Sequence, residues 1–288
     1  MIVDVSASYS GPHRSEADSR CYARKGTRSV PMSMREIHDG VMRLSRRQDE
    51  IKNTLEECSN AFREWLGYRP GSIGASNLMT GMRVTGIPVG APLYVDPVFQ
   101  NKAVSRGLRS VSCTWTKDGT RRTSTCSIPQ APVERPILGG TRWEREASDR
   151  ATRLDILRNG FIQACFKSAW LEDERRQPHP YLWFDLIVSF TANVLAHVDV
   201  FRKEAQAPAC EYGLELEILA TNGPSEVPVE LKLSGHHEVI GSFLPVILGP
   251  YPIGEYDKAI NLVARDVFNA CGEPLEEILE VDWEALRK

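Results

Sequence analysis

The sequence has no long apolar run. Nowhere do its 288 residues approach the roughly 18 consecutive apolar side chains that a spanning helix needs. Met1-Ile2-Val3-Asp4 carries an acid where a secretion signal carries bases, so the expectation is a cytoplasmic protein without a membrane partner. The seven cysteines (Cys21, Cys58, Cys113, Cys126, Cys165, Cys210, Cys271) lie far apart and never form C-x-x-C. That argues against a disulfide framework and a zinc ribbon alike, and leaves most of them as small core residues. Also missing are G-x-x-x-x-G-K-[ST], G-x-G-x-x-G after a strand, G-x-S-x-G and H-E-x-x-H. Nucleotide hydrolysis and standard hydrolase chemistry therefore have no anchor, and the expectation is a non-enzymatic protein with no catalytic residue, metal or cofactor.

What is present is an ordinary globular composition, 42% hydrophobic and 25% charged, on a length that suits two domains. The net charge of -3 hides an asymmetry. Residues 1–158 hold 25 Lys and Arg against 17 Asp and Glu, a net +8, whereas 159–288 hold 10 against 21, a net -11. Such a split suits either an anionic partner for the first part or attraction between the two parts.

Ser33-Met34-Arg35-Glu36 reads as a capping box that starts a helix. From there Ile37, Val41, Leu44, Gln48, Ile51, Leu55, Cys58, Phe62 and Trp65 recur in steps of three and four until Gly67 and Pro70 end the pattern. The stripe serves equally for docking on the C-terminal domain or for pairing with a second chain over 34–66, with Gln48 fixing a register. Residues 70–77 are a linker by composition. The resulting division is 1–33, a helix over 34–69, and a domain over 78–288.

Within that domain, 82–89 reads as a first strand and 108–115 with 121–128 as a hairpin about Lys117-Asp118-Gly119-Thr120, a turn that sets Cys113 opposite Ser124. Residues 141–167 read as strands turning at Asn159-Gly160, and the two hairpins with the first strand are expected to share one sheet. Tyr212, Leu214, Leu216 and Ile218 alternate with Glu211, Gly213, Glu215 and Glu217, the pattern of a strand buried on one face. Apolar periodicity predicts helices over 181–205 and 255–271, the second stopped by Gly272. The fold class is therefore α+β: a long linking helix followed by a mainly antiparallel sheet packed on two long helices.

Several groups of residues are candidates for chemistry. Arg20, Arg24, Lys25 and Arg28 surround a Gly26-Thr27 turn, and basic residues around a glycine turn suit a phosphate backbone, although a solvated hairpin tip has the same appearance. Arg121 and Arg122, with Lys102, Arg106, Arg109 and Lys117 nearby, make a second basic region in which Trp115 is a candidate stacking platform. Asn193 and His197 stand one helical turn apart, a spacing that suits a ligand pair or a satisfied core histidine. Glu215 and Glu217 share a strand face about 7 Å apart, but no third acid is fixed beside them; His236-His237-Glu238 alternates faces and is weaker still.

The N-terminal elements also carry a resemblance. An apolar strand, Gly11-Pro12-His13, an aromatic strand ending Tyr22-Ala23-Arg24-Lys25-Gly26-Thr27, and then Val30-Pro31-Met32-Ser33-Met34-Arg35-Glu36-Ile37 resemble the closing strands and exit helix of the bacterial Schlafen AlbA-type DNA-binding domain. The likeness covers about 35 residues, the last third of that domain. The family's earlier glutamates, its Glu-Phe-Lys strand and its Ala-Asn-Thr-Gly-Gly stretch have no counterpart here. The family's nuclease carboxylates lie in that part, so the resemblance implies nucleic-acid binding without catalysis, in a truncated member or fragment. Pieces of the C-terminal region, 250–254 and 266–272, resemble the companion domain of some members.

The expectation is thus a DNA- or RNA-binding protein that contacts phosphates through Arg20, Arg24, Lys25, Arg28, Arg121 and Arg122. The alternative is a protein–protein module that forms a homodimer through helix 34–66 while its acidic C-terminal domain senses a partner. A metal-dependent nuclease working through Glu215 ranks below both.

Overall fold

The computed structural model describes residues 15–25, 28–67, 78–89, 108–117, 120–126, 133–147, 150–169, 171–172, 178–206, 210–222, 225–233, 238–275 and 279–287. Strands β1 (Tyr22–Lys25) and β2 (Arg28–Pro31) pair antiparallel, with Lys25 opposite Arg28, and form a two-stranded sheet of their own. The 33-residue helix α1 (Met34–Leu66) follows. Its capping box is as predicted: the Ser33 N–H donates to the Glu36 carboxylate at 2.8 Å and the Glu36 N–H to Ser33 Oγ at 3.3 Å. Gly67, at φ 86°, ends it in the left-handed region.

Next come β3 (Leu78–Pro88), β4 (Val111–Lys117), β5 (Thr120–Cys126), β6 (Val133–Ile137), β7 (Gly140–Glu146), β8 (Arg150–Leu157) and β9 (Ile162–Ala169). After the two-residue strands β10 (Leu171–Glu172) and β11 (Pro178–His179) stand β12 (Tyr181–Trp183) and α2 (Phe184–Glu204). The chain closes with β13 (Tyr212–Asn222), β14 (Ser225–Glu226), β15 (Val229–Lys232), β16 (Val239–Phe243), β17 (Val246–Pro252), α3 (Tyr256–Ala270), β18 (Glu280–Val281) and the single turn α4 (Glu284–Arg287). The linker 70–77 lies outside the described residues.

The α+β class holds. The main sheet is antiparallel, in the order β14-β13-β3-β9-β8-β7-β6, with β17 also on β13. One expectation is corrected: the β4–β5 hairpin does not join this sheet but pairs with β18 in a separate three-stranded one. Its strands pack against α2, so the hairpin covers the helix instead of extending the sheet. Cys113 does stand opposite Ser124.

The alternation in β3 decides what lies above and below the sheet. Met82 and Val84 point to the side of α2 and the main core, and Arg83, Thr85 and Ile87 to the side of α1. Both helices come close because β3 carries glycine at each crossing. A Cβ at Gly81 would lie 2.8 Å from Leu66 Cδ1 on α1, and one at Gly86 3.0 Å from Val194 Cγ1 on α2. With helices on both faces, β13 is buried along nearly its whole length, where its sequence alternation predicted one solvated face.

The stripe on α1 divides in two. Buried positions begin at Ile51 and continue through Leu55, Ser59, Phe62 and Leu66, which is docking on the sheet. Before Ile51 no residue is buried, and Val41 and Met42 are exposed. The steps of four, four, three and four follow a straight helix lying on a sheet, so Ser59 and Leu66 replace the expected Cys58 and Trp65 at the centre of the contact.

α2 is mainly apolar because it is buried along most of its length. By length and composition it passes for a membrane span, although its polar residues interrupt any continuous apolar run, yet 83% of its 18-residue window is buried inside the protein. Asn193 and His197 both act structurally there. The Asn193 amide donates to the carbonyls of Arg109 and Ser189 and accepts from the Arg109 N–H, all at 2.7–2.8 Å, so it pins the chain entering β4 to the helix. The His197 ring is buried and its Nδ1–H donates to the Asn193 carbonyl at 2.6 Å.

Burial lowers the His197 pKa from its ordinary 6.5, and the Asn193 hydrogen bond offsets this only in part. The unfolded chain takes up this proton near pH 6.5 and the folded protein only lower, so the contribution to stability is complete above 6.5 and is lost as pH falls below it. The unfolding free energy from urea titrations should therefore drop between about pH 7 and about pH 5.5, by up to about 1.4 kcal/mol per pH unit from this one group. His197→Gln should flatten that dependence; an unchanged slope would show that the proton is taken up elsewhere.

Candidate nucleic-acid interface and the buried charge cluster

The structure gathers four of the predicted phosphate-binding residues and separates two. Arg20 closes a turn in which the Ser15 N–H donates to the Arg20 carbonyl at 2.8 Å and the Arg20 N–H to Asp18 Oδ1 at 3.2 Å. The Tyr22 hydroxyl donates to the other oxygen of Asp18, and that hydrogen bond lowers the Asp18 pKa and raises that of Tyr22. Arg24 and Lys25 lie on β1 and Arg28 on β2, where the Lys25–Arg28 register leaves two residues between the paired positions. The Gly26-Thr27 turn, Gly11-Pro12-His13 and the side chains of Arg24 and Lys25 lie outside the described residues. Arg28 is exposed, as are Arg35, Arg43 and Arg46 on the first half of α1.

Arg121 and Arg122 are on a different surface and already hold partners: Arg121 pairs with Glu280 and Arg122 with Glu238. Trp115 is not a stacking platform. It is buried, its ring edge-on to Phe184 at 5.7 Å, so the aromatic that looked available among basic residues belongs to the core. Arg109 is held against α2, and Lys102, Arg106, Asp118, Gly119, His236 and His237 lie outside the described residues.

The most concentrated chemistry lies under α1, at residues whose importance depends on a neighbour far along the chain. Arg83 on β3 is fully buried and opposite Glu217 on β13. Its Nε and Nη2 donate to Glu217 Oε2 at 3.0 and 2.8 Å, its Nη2 to Glu215 Oε1 at 2.6 Å, and its Nη1 to Thr85 Oγ1 at 2.7 Å. From α1, Ser59 Oγ and Arg63 Nε donate to Glu217 Oε1 at 2.9 and 3.0 Å, and Arg63 reaches on to Glu226. Burial by itself would lower the Arg83 pKa, but Glu217 and Glu215 more than reverse that, and the guanidinium stays charged. The signal that could have found Arg83 is a basic residue at the inward phase of a strand, paired with nothing local.

The same sheet face continues this polar layer across five strands. Glu144, Arg153, Cys165, Arg83 and Glu217 form one cross-strand row; Arg142, Asp155, Gln163, Thr85 and Glu215 form the next. Arg142 grips Asp155 with two bonds of 2.7 and 2.9 Å, and Trp65 of α1 covers Arg153 and Lys167 at 5.0 and 4.5 Å from its ring centre. Burial pushes the thiol of Cys58 up to about 12 and that of Cys165 to about 11, so neither is a thiolate near neutral pH. Among the described residues no group of three or more His, Cys, Asp or Glu is arranged to hold a metal ion.

Removing Arg83 leaves two buried carboxylates without their main counter-charge. Arg83→Met should cost about 3–5 kcal/mol in chemical denaturation, and replacing Glu215 and Glu217 by Leu as well should recover much of it. A loss under about 1 kcal/mol would show that the cluster is not the desolvated network described.

No protein-family model, curated protein or solved structure matches this chain, so its identity rests on the arrangement above.

Proposed function

We propose that this protein binds nucleic acid without catalysing a reaction on it, through the β1–β2 hairpin and the first half of α1. The observation that carries the reading is charge. Residues 20–47 hold eight basic residues, Arg20, Arg24, Lys25, Arg28, Arg35, Arg43, Arg46 and Arg47, against two acids, Glu36 and Asp39, a net +6 in a chain whose total is -3. Among the described residues no ion pair engages Arg28, Arg35 or Arg46, so their charge is free to meet phosphates. The likeness of these elements to the closing part of the Schlafen AlbA-type domain points the same way. Arg121 and Arg122 are weaker participants, since each would first have to leave an acidic partner.

The test is the salt dependence of binding to a short duplex and to a single strand of the same sequence. Affinity should fall steeply with salt, and the Arg24/Lys25/Arg28 triple alanine should reduce the slope of log affinity against log salt on the duplex by about 3. The Arg121/Arg122 double alanine should change it less. Binding that stays flat from low to physiological salt would overturn the proposal.

A second reading has its own observation. The apolar stripe of α1 continues before the docked half, with Val41 50% and Met42 42% exposed beside the half-buried Ile37 and Leu44. A second copy of the chain pairing along this half would cover them. Light scattering at high concentration should then give twice the chain mass, and Val41→Asp should halve it; a wild-type monomer excludes pairing.

A further inference from the structure

A cavity of about 830 Å³ opens between the middle of α1 and the sheet, where the helix leaves β3, β13 and β17. Its size is that of a small-molecule site. The walls are largely apolar, formed by Ile51 and Leu55 of α1, Ile87 of β3, Tyr212 of β13, and Tyr251 and Ile253 at the end of β17 and just beyond it.

Charge gives this cavity a preference. The charged residues lining it are Lys52 against Glu56, Glu211 and Glu215, one base against three acids. Lys52, Glu56 and Glu211 are exposed, but the Glu215 side chain is only 9% exposed, and the residue lines the cavity. One Glu215 oxygen accepts from Arg83 at 2.6 Å; the other has no hydrogen-bond partner among the described residues. Behind it, Arg83 and Arg63 balance Glu215 and Glu217, and Arg63 is shared with the partly exposed Glu226, which does not line the cavity.

We infer that the cavity is a binding site for an organic cation with a large apolar body, a primary ammonium being the simplest case. The apolar part occupies the space between α1 and the sheet, and the N–H groups donate to the unpaired oxygen of Glu215. A charge-assisted bond in a largely apolar site favours such a ligand over a neutral one of the same shape. A carboxylate would meet Glu215 as a like charge. This inference is independent of nucleic-acid binding, since none of the basic residues proposed to meet phosphate lines the cavity.

The test uses the full chain and three probes of equal chain length, decylammonium, decan-1-ol and decanoate, titrated calorimetrically near neutral pH. Decylammonium should bind at least tenfold more tightly than decan-1-ol, and decanoate should be weakest. Glu215→Gln should bring the ammonium close to the alcohol. Gly213→Leu should weaken all three, because Gly213 borders the cavity and a Cβ there meets only ordinary contacts, with Pro250 at 3.4 Å and Val89 at 3.5 Å. Circular dichroism checks that both variants fold, and if Glu215→Gln does not, the comparison of probes on the wild-type protein still decides. Equal affinity for the three probes, no binding of decylammonium, or an ammonium affinity untouched by both variants would overturn the assignment.

Discussion

The buried guanidinium of Arg83 is the constraint on which the upper layer of this protein depends. It stands in an interior strand of the sheet and binds two carboxylates of the neighbouring strand, one of which also receives Ser59 and Arg63 from α1. A buried ion pair is poor evidence for stability as such, because desolvation consumes most of the Coulomb gain. Its effect here is on register. Sliding α1 by one turn along the sheet would take both Ser59 and Arg63 away from Glu217 and leave its buried Oε1 without a donor, which disfavours other seats for the helix.

The two faces of the sheet consequently differ in kind. Under α2 the contact is mainly apolar, and that helix is so enclosed that its composition alone would suit a membrane. Under α1 the contact is a polar ladder bounded by two small apolar clusters, one around Ile51 and Leu55 and one around Phe62 and Leu66. Half of α1 is held down by this mixed layer. The other half extends past the last buried residue, carrying basic side chains and the unfinished end of the apolar stripe. The cavity lies near that transition, against the acidic end of the ladder.

Much of the architecture was legible before the structure. The Ser33 capping box, the Gly67 stop, the two later helices, the hairpin register at Cys113 and the α+β class all follow from local periodicity and turn chemistry, which act over a few residues. What misled were positions where a strand or ring looked solvated by pattern and was covered by something distant. Trp115 lay among basic residues yet packs on Phe184, and Glu215 and Glu217 looked like a solvent face yet lie under α1. Arg121 is exposed and Arg122 half-buried, and each pairs with an acid from late in the chain.

The sequence by itself determined the elements, their order, and the strong positive bias of residues 20–47, because backbone propensity and net charge need no tertiary contact to exist. Tertiary structure alone decided which charges are available. The carboxylate partners of Arg83 lie more than 130 residues away along the chain, and no local pattern connects them. Strand pairing and helix docking brought them together, and opposite charge and hydrogen bonding hold them in one cluster against the cost of desolvation.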